Sequence, residues 1–205
     1  MGSRIVILIS GTGSGMTAVL EACERGDLAA DVVGVLADRP CRGLEVASEH
    51  GVPAAVTRLA DFSTRHEWNQ ALTKKVRAYA PDLVLLAGFM RVLAPEFVDA
   101  FPGRLLNVHP SLLPAFPGAR AVRDALEAGV KVTGTTVHLV DHEVDHGPIL
   151  FQEPVPTRPN DTEESLHERI KEAEHRLLVD ACRALLGGDV VVNGRVASVM
   201  SGGER

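Results

Sequence analysis

Short apolar runs alternate with segments of helical spacing through the first half of the chain. The runs, of which the first is rich in β-branched residues, predict strands at 4–10, 31–37, 52–56, 82–87 and 104–108. The segments between them predict helices at 16–25, 43–50, 62–79 and 95–100. Because the run at 82–87 is continuously apolar after Asp82, we expect it to be covered on both faces, near the centre of a parallel sheet.

The pattern changes in the second half. Two β-branched runs, one starting at Lys131 and one at 148–155, predict an antiparallel pair, and a long helix is predicted at 162–186. An Asn-Gly turn predicts a terminal hairpin within 190–199, and the last five residues (SGGER) are predicted to fray. The fold class is therefore α/β, with a mostly parallel, Rossmann-like sheet flanked by helices and antiparallel strands in the C-terminal half.

The bulk composition favours one ordinary globular domain. The chain has 205 residues, of which 45% are hydrophobic and 23% charged, and we predict a single domain over residues 1–205. A net charge of -6 argues against a nucleic-acid partner, because such binding concentrates Lys and Arg against phosphates. A small anionic ligand stays compatible, since one local cluster of donors suffices. No early apolar run is long enough for a membrane span, so we expect no membrane partner.

The cysteines are few and widely separated. Cys23, Cys41 and Cys182 show no CxxC pairing, so neither a disulfide framework nor a zinc knuckle is indicated. This usage is typical of a reducing compartment, and no targeting segment is recognisable. We therefore predict a cytoplasmic protein. The sequence leaves open whether it is a monomer or a homodimer.

The glycine-rich loop GTGSG stands between the first predicted strand and the first helix. Gly11, Gly13 and Gly15 let the backbone turn tightly and aim amides at an anion. The match to the dinucleotide pattern GxGxxG is imperfect, because the third glycine would fall at Met16. Asp38, after the second strand, nonetheless imitates the ribose-binding acid of nicotinamide-dependent oxidoreductases. A phosphate cradle, a nicotinamide site and a purely structural turn are all compatible with this loop.

A second candidate site lies where the strand at 104–108 ends. Asn107 and His109 are two positions apart, so both side chains can project to the same face, and Pro110 ends the ladder. An amide and an imidazole placed together can hold a carbonyl oxygen as it becomes an oxyanion in acyl transfer. Carboxyl ends of parallel strands share one sheet edge, so we expect the loops GTGSG, AGFMR and NVHPS to gather there.

Three histidines recur every fourth residue in TTVHLVDHEVDHGP. On a helix, His138, His142 and His146 would line up as zinc ligands, but the β-branched start and the Gly-Pro end favour a strand and a turn with solvated histidines. Asp145 is a candidate for the carboxylate that orients His109 and raises its proton affinity. No serine or cysteine nucleophile with a partnering base is recognisable.

Five segments together resemble the glycinamide ribonucleotide formyltransferases, folate-dependent enzymes of purine synthesis. They cover nearly the whole chain: ISGTGS, PDLVLLAGFMRVL, LLNVHPSLLPAFPG, GTTVHLVDHEVDHGPIL and HERIKEAEHRLLV. NVHPSLLP followed by Val-Asp-x-Gly-Pro at 144–148 is highly specific for the formyltransferase fold. The resemblance implies a nucleotide-binding half at about 1–100 and a catalytic and folate-binding half at about 101–200.

The resemblance also implies roles for individual residues. His109 would be the catalytic acid, Asn107 would hold the formyl oxygen and Asp145 would tune the histidine while an amine attacks 10-formyltetrahydrofolate directly, without a covalent enzyme intermediate or a metal. The implied folate-binding residues are Arg65, Met90, Arg91, Leu93, Asp141, His142, Glu143 and Val144. The implied ribonucleotide-binding residues are Gly13, Ser14, Gly15, Lys171 and Glu174.

Two residues depart from the family pattern. Gly15 stands where an asparagine is usual, and Arg120 stands where a histidine is usual. The first removes a side-chain hydrogen-bond partner, and the second replaces a titratable ring with a permanent cation. The resemblance implies formyl transfer to glycinamide ribonucleotide. A paralogue that formylates another amine is the alternative, and a nonenzymatic folate or nucleotide binder is a third.

Overall fold

The computed structural model describes residues 2–200, which form two compact units. The first unit ends at Leu106 and the second begins at Asn107. The predicted frayed tail, residues 201–205, lies outside the described residues. Within residues 2–200, no helix combines the length and the apolarity that crossing a membrane requires.

The first unit is a parallel sheet with helices between its strands. Its strands are β1 (Ser3–Ile9), β2 (Ala30–Ala37), β3 (Ala54–Val56) and β4 (Leu83–Leu86), in the order β3-β2-β1-β4. Its helices are α1 (Ser14–Glu24), α2 (Arg42–Glu49), α3 (Arg65–Ala78) and α4 (Pro95–Ala100), with a 3-10 turn at Leu59–Asp61. The alternation of strands and helices is the one that the apolar pattern predicts.

The core of the first unit follows from that pattern. Residues 5–9 of β1 are fully buried between β2 and β4, as a β-branched run covered on both faces requires. On α3, Trp68, Leu72 and Val76 recur every fourth residue and are all buried. The Trp68 indole N–H donates to the carbonyl of Thr57 at 2.7 Å, so this large side chain is buried without an unpaired donor.

The second unit carries the antiparallel strands. β5 (Leu105–His109) leads into it, and the strand order in this unit is β5-β6-β7-β9-β8. The remaining elements are α5 (Ala121–Glu127), β6 (Val132–Leu139), β7 (Ile149–Pro156), α6 (Glu163–Gly187), β8 (Val190–Asn193) and β9 (Val196–Val199). The pairs β6/β7 and β8/β9 are antiparallel. Leu166 and Ile170 of α6 pack into a buried cluster with Val122 of α5 and Val155 of β7.

The predicted fold class is confirmed, with two differences in the helices. α3 begins at Arg65 rather than at residue 62, because Thr64 and Glu67 form a reciprocal capping box that sets its first turn. The short helix α5 was not predicted, since seven residues after a proline-rich loop carry too few periods to be recognised. The predicted antiparallel pair, the long helix and the terminal hairpin are all present.

Candidate active site

The catalytic candidates of the second unit lie around the end of β5. His109 is its last residue and is only 5% exposed, and Asn107 lies two positions before it. The backbone around His109 is held from two sides, because its carbonyl accepts from the Ser111 N–H at 2.9 Å and from the Thr135 hydroxyl at 3.3 Å. These two hydrogen bonds fix the position of the His109 backbone at the end of β5.

The two ring nitrogens of His109 have different partners. Nε2 lies 2.8 Å from the carbonyl oxygen of Phe116, and Nδ1 lies 3.4 Å from Oδ2 of Asp145. Because a carbonyl only accepts, Nε2 carries a proton in either charge state of the ring. Nδ1 is thus the ring nitrogen that faces the carboxylate of Asp145.

Asp145 is held in an uncommon backbone conformation. Its φ is 53°, and its side chain is 10% exposed. Oδ2 accepts from the Gly118 N–H at 2.7 Å, while Oδ1 lies 3.8 Å from Nε2 of His138. The following turn requires glycine at position 147, because a Cβ there would lie 1.9 Å from the carbonyl oxygen of Leu139. This close approach explains the Gly in the DHGP segment that carries the carboxylate.

His138 is a buried member of this cluster. It lies on β6 and is 2% exposed, so the interpretation as a solvated loop histidine is wrong. Burial lowers the pKa of His138, which favours the neutral ring. Nδ1 donates to the Leu139 carbonyl at 2.8 Å, so Nε2 has a free lone pair. The Asn107 amide nitrogen, 3.1 Å away, donates one hydrogen to it and keeps a second hydrogen for another acceptor.

The helical alignment that a zinc site would need is not formed. His138 is in a strand, and residues 140–148 form loop and turns. His146 instead pairs through Nδ1 with Oδ2 of Asp141 at 2.7 Å. Over residues 2–200, no group of three or more His, Cys, Asp or Glu side chains has a metal-binding arrangement.

The predicted folate loop at 141–144 is held by its own side chains. Oδ1 of Asp141 accepts from the Glu143 N–H at 3.0 Å, and its other oxygen pairs with His146. Arg195, in the turn of the terminal hairpin, donates to the carbonyl of His146 at 2.9 Å. Val144 is 54% exposed, so an apolar side chain of this loop is open to a ligand.

In the first unit, the other predicted folate residues lie together. Arg65, the first residue of α3, donates to the carbonyl of Val92 at 2.7 Å, which joins it to the loop after β4 that carries Met90, Arg91 and Leu93. Met90 is 63% exposed. A cation and an exposed apolar side chain are thus offered by neighbouring parts of this unit.

The glycine-rich loop of the first unit is a tight turn into α1. Gly13 is the N-cap residue with a φ of 80°, and a Cβ there would lie 3.0 Å from the Cα of Gly43. The Gly43 N–H donates to the carbonyl of Gly11 at 3.0 Å, so α2 packs directly on the loop. Ser14 and Gly15 form the first turn of α1, where backbone N–H groups lack helical partners. The loop has the backbone arrangement of an anion cradle.

Asp38 does not have the environment of a ribose-binding acid. Its side chain is fully buried and accepts from Arg39 and Arg91 at 2.8 and 2.7 Å. Burial alone would raise the pKa of Asp38, but hydrogen bonds from Arg39, Ser10 and Arg91 lower it to about 2. A buried carboxylate that accepts from two guanidinium groups is not available to accept from the hydroxyl groups of a ribose. The nicotinamide interpretation therefore loses its basis.

Two of the predicted ribonucleotide-binding residues, Lys171 and Glu174, lie on α6 and have different surroundings. Nζ of Lys171 pairs with Glu168 at 2.6 Å. Burial raises the pKa of Glu174 to about 7, against the opposing effect of the Lys171 charge. Glu174 is therefore a carboxyl group that changes charge near neutral pH.

Comparison with known proteins identifies the family of this chain. Residues 3–182 match the formyl transferase family. The chain belongs to this family. A phosphoribosylglycinamide formyltransferase from Mycobacterium tuberculosis strain H37Rv is 54% identical over 197 residues, which cover 96% of this chain and 91% of that protein. The Escherichia coli K12 protein of the same name is 41% identical, over 85% of this chain and 82% of its own length.

The fold of this formyltransferase also matches a solved structure. Glycinamide ribonucleotide transformylase 1 from Symbiobacterium toebii superposes with a TM-score of 0.96 and 44% identity, covering 98% of this chain and 95% of its own. The resemblance predicted from the five sequence segments is thereby confirmed at the level of family and fold.

One of the two departures from the family pattern is a surface feature. Arg120 is the N-cap residue of α5, its side chain is 66% exposed, and Nη2 lies 3.6 Å from Asp124. Such a pair is weak, so the guanidinium can exchange Asp124 for a ligand anion at little cost. Gly15 lies in the first turn of α1, directly after the glycine-rich loop.

Sequence reasoning missed three groups of this site. The carbonyl of Phe116 and the N–H of Gly118 are backbone groups, and the identity of a residue does not show which backbone groups reach a site. His138 did carry a signal, because a histidine inside a buried strand must find partners for both ring nitrogens. Asp38 was singled out in the sequence, but as a ribose-binding acid.

Proposed function

We propose that this formyltransferase moves the formyl group of 10-formyltetrahydrofolate to the amine of glycinamide ribonucleotide, a step of purine biosynthesis in the cytoplasm. The observation that carries the proposal is the cluster of Asn107, His109 and Asp145, in which an amide and an imidazole are oriented by buried partners. The names of the relatives, phosphoribosylglycinamide formyltransferases, support the choice of acceptor.

The chemistry begins with the attack of the neutral amine on the formyl carbon. The carbonyl oxygen becomes an oxyanion in the tetrahedral intermediate. The second amide hydrogen of Asn107 and the Nδ1 proton of cationic His109 would donate to it. Both donors are fixed beforehand, Asn107 by His138 and His109 by Phe116, so little reorganisation is needed at the moment of reaction.

Asp145 stabilises the cationic form of His109 that this step uses. Its carboxylate lies 3.4 Å from Nδ1 and is oriented by the Gly118 N–H. As the intermediate collapses, the proton lost by the attacking amine reaches the leaving folate nitrogen, and the carbon–nitrogen bond to the folate breaks. The amine itself is the nucleophile, so the route needs neither a covalent enzyme intermediate nor a metal.

Two further sets of residues would hold the substrates. For the folate cosubstrate these are Arg65, Met90, Arg91, Leu93, Asp141, His142, Glu143 and Val144. For the ribonucleotide they are Gly13, Ser14, Gly15, Lys171 and Glu174. The cradle amides suit a phosphate, Lys171 supplies a cation, and Glu174 suits a hydroxyl or an amine. We propose that one domain, as a monomer or a homodimer, contains both sites.

Gly15 and Arg120 favour an alternative in which the acceptor is an amine other than glycinamide ribonucleotide. A smaller residue in the cradle and an exposed cation beside α5 would both suit a different phosphorylated or anionic amine. Such a paralogue would keep the same donor, trio and chemistry.

The experiment is a formyl-transfer assay with 10-formyltetrahydrofolate and a panel of amines that includes glycinamide ribonucleotide. We expect the ribonucleotide to give the highest kcat/KM of the panel. Turnover of another amine without turnover of the ribonucleotide would replace this proposal by the paralogue. Tight folate binding without transfer to any amine would favour the nonenzymatic binder.

A further inference from the structure

A buried carboxylate in the first unit has no role in the mechanism above. Asp38 follows β2, its side chain is 0% exposed, and it accepts from Nη2 of Arg39 at 2.8 Å and from Nε of Arg91 at 2.7 Å. Burying a charge is costly unless it is paired and hydrogen-bonded, and two guanidinium groups pair with it here.

Asp38 is also linked to the residue before Arg91. The hydroxyl of Ser10, which follows β1, donates to the Asp38 carboxylate. The Ser10 oxygen in turn accepts from the backbone N–H of Met90 at 2.8 Å. One carboxylate therefore anchors two consecutive residues of the loop after β4, Met90 through its backbone and Arg91 through its side chain.

The far end of this loop has separate anchors. Arg65 donates to the Val92 carbonyl at 2.7 Å, and the Asn69 side-chain oxygen accepts from the Ala94 N–H at 3.1 Å. These contacts hold backbone atoms. The contact from Asp38 differs because it holds a side chain of the loop, that of Arg91.

The orientation of Arg91 follows from which nitrogen is used. Asp38 takes Nε, and within the described part of the first unit the two terminal nitrogens of Arg91 have no hydrogen-bond partner. The side chain is 36% exposed. A guanidinium fixed at Nε presents its two terminal nitrogens together, which suits paired contacts with ligand oxygens.

We propose that Asp38 is a positioning residue for the reduced-folate cosubstrate, which it serves by fixing the guanidinium of Arg91 toward the ligand without touching the ligand itself. This inference rests on the proposed function, because that function places the folate at Arg91. Asp38 stays ionised at physiological pH, since its partners hold its pKa at about 2, so the anchor is permanent.

The test is a steady-state comparison of the wild-type enzyme with Asp38→Asn, a substitution of nearly equal size. We expect the KM for 10-formyltetrahydrofolate to rise on the order of tenfold, because an amide holds Arg91 without the charge-assisted bond. We expect kcat and the KM for the ribonucleotide to change less than about twofold. Arg39→Gln is the matched control, since it removes the other ion pair of the same carboxylate, and its folate KM should stay near the wild-type value.

A double-mutant cycle separates positioning from a general loss of stability. If Asp38 acts through Arg91, then Asp38→Asn combined with Arg91→Gln should have the same folate KM as Arg91→Gln alone. Independent, multiplying effects would overturn the inference, as would an unchanged folate KM in Asp38→Asn. A parallel loss in every kinetic constant, together with a lower melting temperature, would also overturn it. If the wild-type enzyme transfers no formyl group, the proposed function itself fails.

Discussion

Replacing Asp145 by asparagine isolates the charge of the catalytic carboxylate from its shape. Oδ2 both accepts the Gly118 N–H at 2.7 Å and faces His109 Nδ1 at 3.4 Å. An asparagine oxygen in this place keeps both contacts, and its amide nitrogen falls where Oδ1 faces His138. The geometry of the loop is thus retained while the negative charge is lost.

The size of the effect follows from the distance between the charges. At 3.4 Å and an effective dielectric constant of about 20, a carboxylate and an imidazolium attract each other by about 5 kcal/mol. This value is a ceiling, because water and small rearrangements recover part of it. We therefore expect Asp145→Asn to lower kcat on the order of 10²-fold or more.

The assay is steady-state formyl transfer at saturating concentrations of both substrates, with circular dichroism and a thermal melt to verify folding. Glu127→Gln, on the exposed face of α5 and paired with Arg123, is the matched carboxylate-to-amide control and should keep wild-type kcat. A folded Asp145→Asn enzyme with kcat within about threefold of the wild type, less than 1 kcal/mol, would refute the electrostatic role.

Three other predictions concern groups of the proposed sites. His138→Leu removes the acceptor that orients Asn107, so kcat should fall about tenfold, and an unchanged kcat in a folded variant would count against this link. Because Glu174 has a folded pKa of about 7 against an ordinary value of 4.5, the proton it binds stabilises the fold at low pH, and that stability is lost as pH rises through 7. The free energy of unfolding of Glu174→Gln, measured with urea, should therefore rise relative to that of the wild type by about 3 kcal/mol between pH 5 and pH 8. A difference between the two proteins that does not change with pH would contradict the raised pKa. Gly15→Asn should lower the ribonucleotide KM about two- to tenfold by adding one hydrogen bond and leave the folate KM unchanged; a raised ribonucleotide KM would show that the cradle needs glycine there.

Much of the fold could be predicted from the sequence because its strands are strongly patterned. β4 is buried at each of its four positions, as its continuous apolar run requires, and β6 begins at Val132, within one residue of the predicted start at Lys131. The helix α5 was missed because it is short and its stability comes from packing, with Val122 in the cluster around Ile170.

The candidate site was predictable only where chemistry resides in side chains. Asn107 and His109 could be paired from their spacing on a strand, and Asp145 from its place before a Gly-Pro break. Which nitrogen of His109 acts depends on the carbonyl of Phe116, a backbone atom positioned by tertiary structure. The role of Asp38 likewise depends on cations that come from different parts of the chain, so local pattern alone suggested a ribose site instead.

The most direct test of the account follows a labelled formyl carbon. The wild-type enzyme is incubated with 10-formyltetrahydrofolate carrying ¹³C in the formyl group and with glycinamide ribonucleotide, and the label is followed by NMR. We predict that the label appears in the formyl amide of the ribonucleotide at the rate at which tetrahydrofolate forms, and that Asp145→Asn slows both together. Release of the label as formate, or label that stays on the folate while the ribonucleotide is bound, would contradict it.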